Sequence, residues 1–162
     1  RLFFAPPCML AVFSLPPRAD LIGETLRHQC PECFPPYDQT FVVVDGAPEL
    51  TPFGQWEVDV EESSITVTWL FNSGLINPGH LIFSDFSPFV VNSATLDASS
   101  TWIPLGLSFD ADSVTLDFSG QVVSAGIFAK INLNQQVPEP STLAQVLSGL
   151  IPGVVYLRRK RE

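Results

Sequence analysis

The chain has 162 residues, 46% of them hydrophobic, and carries 17 acidic against 8 basic side chains, a formal net charge of −9. That length suits a single domain with its own core. The charge is unevenly placed, because between Asp20 and Leu157 only Arg27 and Lys130 are basic. A body so acidic repels nucleic acid and anionic lipid, which excludes both as expected partners.

Residues 1–19 open with an apolar stretch from Leu2 to Leu15 that includes Cys8, then Pro16-Pro17-Arg18-Ala19. This pattern is expected of a truncated signal peptide cleaved after Ala19. Residues 20–136 read as one β domain. Asp20–Leu26 is expected as its first strand, and the Cys- and Pro-rich residues 30–38 as a loop. Within that loop, Cys30-Pro-Glu-Cys33 lies close to His28. A redox CxxC needs a helix after it, which Pro35-Pro36 blocks, and a zinc site usually needs four ligands. The expected state is therefore a local Cys30–Cys33 disulfide in an oxidising compartment.

Thr40–Val44 is β-branched and closes at Asp45-Gly46. The clearest pattern follows. Trp56, Val58 and Val60 alternate with Glu57, Asp59 and Glu61, and Ile65, Val67 and Trp69 alternate with Thr66 and Thr68. Period two with faces of opposite character predicts a half-buried antiparallel hairpin turning at Glu62-Ser63. Leu81–Phe83, Phe89–Val91 and Ala94–Leu96 continue as short strands. Leu105, Leu107 and Phe109 are expected to share one face, and Val114, Leu116 and Phe118 to repeat the alternation after a type I turn at Asp110–Ser113. Ile127–Leu133 is the expected last strand, with Asn134-Gln135-Gln136 as a linker. Eight or nine short strands at this spacing predict an all-β antiparallel sandwich, jelly-roll-like in its order.

Residues 137–162 differ in kind. Val137-Pro138-Glu139-Pro140 should be extended, since two prolines lack N–H donors and fix φ. Leu143–Leu157 carries no charge and is expected as a C-terminal hydrophobic helix. The basic cluster Arg158, Arg159, Lys160 and Arg161 would hold its end on the cytoplasmic side of a bilayer. A span of fifteen residues containing Pro152 is shorter than the roughly 20 a stable transmembrane helix needs.

Signature, apolar span and terminal arginines, in this order, resemble the PEP-CTERM sorting tail of Gram-negative bacteria. Asp20-Leu-Ile-Gly23 and Phe109-Asp-Ala-Asp-Ser-Val114 also look like segments of small proteins of that family. The resemblance implies export, transient anchoring in the inner membrane, and cleavage near Pro138-Glu139-Pro140 by an exosortase. It implies a final place at the cell surface or outside the cell, in the company of exopolysaccharide. It brings no catalytic residues.

The body offers few groups for chemistry. No Gly-x-Ser-x-Gly elbow frames a serine nucleophile, and His28 and His80 read as ordinary loop histidines. A glycosidase pair drawn from the many acids has nothing to select it. Calcium is the better-motivated ligand, through Asp110, Asp112 and Asp117, or through Glu57, Asp59 and Glu61 on one strand face. The plainer reading of the strand acids is a solvated face that limits edge pairing. Trp102, outside the alternating runs, is the candidate for stacking on a sugar, weighed against simple packing. The expected function is a non-catalytic exported surface or matrix protein, with a carbohydrate- or calcium-dependent adhesion module as the alternative.

Overall fold

The computed structural model describes residues 20–72, 75–76 and 79–136. The signal segment, the sorting motif, the apolar span and the basic cluster lie outside these residues. Among the described residues the architecture is all-β, with two main antiparallel sheets.

The hairpin legible in the sequence lies in the second sheet. β3 (Trp56–Glu61) and β4 (Ser64–Trp69) pair from Trp56–Trp69 to Glu61–Ser64, leaving Glu62-Ser63 as the connection. Every apolar residue of the alternation is inside, with Trp56, Val58, Val60, Ile65, Val67 and Trp69 at most 1% exposed. Burying a large apolar side chain contributes about 1.5–3 kcal/mol, so these six positions fix the register. A slip by one residue would turn all of them to water.

Next to β4 runs β11 (Phe128–Gln136), and beyond it β7 (Val90–Leu96), giving the order β3-β4-β11-β7. The other sheet is β2-β1-β6-β9-β8. Its members are β1 (Thr25–Cys30), β2 (Tyr37–Val42), β6 (His80–Ser84), β8 (Gly106–Phe109) and β9 (Ser113–Asp117). A small ladder joins β5 (Leu75–Ile76) to β10 (Gln121–Val122).

The core lies between the main sheets. Leu26, Leu81, Phe83, Val114 and Leu116 meet Val58, Val67, Ala129 and Ile131 within one buried cluster. A run of aromatic contacts extends through it, from Tyr37 to Trp56, Trp69, Trp102 and Phe118. Gly79 sits against this cluster, where an added Cβ would collide with the Phe118 ring.

Several expectations change. The first strand is Thr25–Cys30, not Asp20–Leu26. Asp20 instead accepts the Ile22 N–H, and Gly23 takes a positive φ of 88°. The two short stretches at 89–96 are one strand, β7, and Asn134–Gln136 is not a linker but the end of β11. β8 is an edge strand, so Leu105 and Phe109 remain substantially exposed instead of sharing a core-facing side. The strand count is eleven among the described residues, since sequence alternation does not reveal the two-residue β5 and β10.

Candidate functional site

His28 is not a loop residue. It lies on β1, fully buried, stacked on Phe83 at 4.5 Å between ring centroids. Its Nε2 accepts from the Trp56 indole N–H at 3.1 Å, and its Nδ1 donates to the Ile82 carbonyl at 3.3 Å. Burial lowers its pKa to about 4, because an imidazolium there would lose its hydration. Both nitrogens are occupied, so this neutral ring is a packed hydrogen-bonding element with no free position for a ligand.

Cys30 ends β1, and a disulfide joins it to Cys33 with a Cα separation of 5.3 Å. The loop so closed presents Glu32, whose carboxylate lies 3.0 Å from Nδ1 of His80 on β6. The other ring nitrogen of His80 is 3.8 Å from Asp117. Sequence separation hid this grouping, since Glu32 and His80 meet only because β6 pairs with β1. An imidazole between two carboxylates, one on each nitrogen, has the form of a surface tether for the loop.

The calcium candidates do not converge. Asp110 and Asp112 are at the β8–β9 turn and Asp117 is at the far end of β9. At about 3.3 Å per residue, five residues of strand separate Asp112 from Asp117. Asp110 accepts the Asp112 N–H at 2.8 Å and Asp117 accepts the Ser119 N–H at 2.9 Å. Those backbone bonds hold both carboxyls below the ordinary range. Both acids therefore shape turns. Among the described residues no group of three His, Cys, Asp or Glu side chains is placed to hold a metal ion.

On the outer face of β3, Glu61 binds Lys130 at 2.8 Å and Ser64 at 2.9 Å. Asp59 beside it has its pKa raised, first by burial and then by the charge of Glu61. The exposed edge of β3 is covered by Glu49, which accepts the N–H groups of Val44 and Val60 at 3.0 and 2.8 Å. Glu61 is thus engaged across the sheet, whereas Asp59 Oδ1 is buried with no hydrogen-bond partner among the described residues.

Trp102 is not a platform for sugars. It is 4% exposed, packed edge-on against Trp69, and its indole N–H donates to Gln121 at 2.9 Å. The exposed aromatic of interest is elsewhere. Pro52–Gly54 forms a short 3-10 turn before β3, and Phe53 within it is 49% exposed with φ 52°. Its ring stands edge-on to Tyr37 at 5.5 Å and to Trp56 at 6.3 Å. Between this turn and β2 lies an open cleft of about 330 Å³, lined by Tyr37, Asp38, Gln39, Thr51 and Phe53 among others. The sequence signal for it is an aromatic set between Pro52 and Gly54, outside any alternating run.

No protein-family model, curated protein or solved structure matches this chain.

Proposed function

We propose that this protein is an exported, non-catalytic component of the cell surface or extracellular matrix, sorted and cut by an exosortase. The observation that carries this reading is the sequence order at residues 137–162: Val137-Pro138-Glu139-Pro140, an uncharged apolar span, then Arg158, Arg159, Lys160 and Arg161. Proline spacing makes the first part readable by a protease, and the basic cluster stops the span in the membrane. The inner membrane is then a transient partner, and exopolysaccharide a neighbour at the destination. A jelly-roll-like strand order and an apolar helix over Leu143–Leu157 belong to the same proposal.

Two features of the domain accord with it. A Cys30–Cys33 disulfide suits an oxidising compartment. The last strand ends at Gln136, directly before the motif, so a cut there would leave both main sheets whole. The test is expression of the full chain in a host with its exosortase present or deleted, followed by mass analysis of the product. The expected result is a carboxy-terminal cut near Pro138-Glu139-Pro140 that needs the enzyme and is lost when Glu139 and Pro140 become alanine. An uncut product in both hosts would sink the reading.

A further inference from the structure

We infer that the cleft between β2 and the Pro52–Gly54 turn binds an uncharged oligosaccharide, with the Phe53 ring as its stacking platform. The backbone of Phe53 lies in the left-handed region, which bulky residues avoid and glycine accepts freely. The chain nevertheless places there a ring that is half exposed, braced from behind by Tyr37 and Trp56. A strained, exposed aromatic that the core does not need points to a partner for its open face. Pyranose rings present apolar C–H faces of matching size, with hydroxyl groups around the rim.

The rim of the cleft answers those hydroxyls with neutral groups. Gln39 lies on the same strand face as buried Tyr37 and Phe41, yet is exposed, because the cleft opens the sandwich at that point. The Tyr37 hydroxyl donates to Gln39 Oε1 at 2.8 Å, which orients the amide and leaves its NH₂ directed elsewhere. Thr51 is exposed and its hydroxyl makes no capping bond to the turn it precedes. The Val43 N–H bond to the Glu24 carbonyl sets the alternation of the β1–β2 ladder, so the backbone groups of Asp38 point away from β1.

Charge and length choose among occupants. Both carboxylate oxygens of Asp38 are taken by Arg27, at 2.7 and 2.6 Å, and the protein as a whole is strongly acidic. An anionic glycan would be repelled. A peptide adding as a strand needs a longer open edge, whereas only residues 36–39 of this edge line the cleft and Pro36 has no N–H to offer. The volume is at the lower end of small-molecule sites, which fits one or two sugar rings. The inference stands on the cleft alone and not on the export route, so each can fail without the other.

The test uses the full chain, titrated by calorimetry and ligand-observed NMR with cellohexaose, laminarihexaose and maltohexaose. Hexagalacturonate serves as the anionic comparison and a Val/Thr-rich heptapeptide as the strand probe. The expected result is saturable binding of at least one neutral hexasaccharide, weakened about tenfold or more in Phe53→Gly. That variant should keep its melting temperature, since glycine relaxes the backbone. Gln39→Ala, on an exposed position, should weaken the same sugar and decides the matter if Phe53→Gly fails to fold. The inference is overturned if no neutral hexasaccharide binds, if folded variants bind unchanged, or if the peptide or hexagalacturonate binds more tightly.

Discussion

His28 is neutral because the core withholds the water that its charged form would need, and this ties stability to pH. Its folded pKa is about 4 against an ordinary 6.5, so between these values the unfolded chain binds the extra proton. The contribution is therefore full above pH 6.5 and lost as pH falls towards 4. A shift of this size corresponds to about 3 kcal/mol. Urea unfolding between pH 7 and 4 should show that loss, and His28→Gln should flatten the slope while lowering stability at pH 7. Equal slopes in both proteins would mean that the burial of His28 does not control the transition. The carboxylates depressed by turn bonds, Asp110 and Asp117, add a further loss at lower pH, once they protonate below the ordinary carboxylate range.

Among the elements, β3 and β4 were open to reading because two tryptophans and four β-branched residues alternate strictly with polar ones. β1 was not, since Thr25–Cys30 interleaves Leu26, His28 and Cys30 with Arg27 and Gln29, and a histidine does not announce itself as core. β8 misled for another reason. Its alternation is real, but its position at the sheet edge leaves half the apolar face in solvent. Position in a sheet is a tertiary fact, and no local pattern encodes it. The same limit applies to the cleft, where Gln39 on one sheet and Phe53, in the turn before a strand of the other, line the same opening. Gly79, before β6, looks in the sequence like any loop glycine after a proline, yet its missing side chain makes room for Phe118. Gly79→Ala should cost about 1–3 kcal/mol, because the Phe118 ring is backed by Trp69 and Trp102 and has little freedom to retreat. Thermal melting of the variant checks this, and an unchanged midpoint would show that the ring can shift.

For the molecule as a whole, the decisive feature is the place of β11. It pairs with β4 through Phe128–Asn132 and with β7 through Ile131–Gln136, so it holds the second sheet together. Removing it would strand β7 and open the core at Ala129, Ile131 and Leu133. A chain ending at residue 127 should be unfolded by circular dichroism and by proteolysis. A chain ending at residue 136 should melt as the full chain does. If the shorter chain folds, or the longer one does not, the sheet is supported by something other than this strand.

The position of β11 has a consequence for travel. The described strands before it cannot complete their sheet until this last one arrives, so early closure is denied to a chain emerging from a ribosome. Non-local β pairing is slow to form in any case. On the proposed export route, the β3-β4-β11-β7 sheet closes only after almost all of the domain has passed through the channel. On that route, order of synthesis acts as a timer that delays closure of this sheet until transit is nearly done.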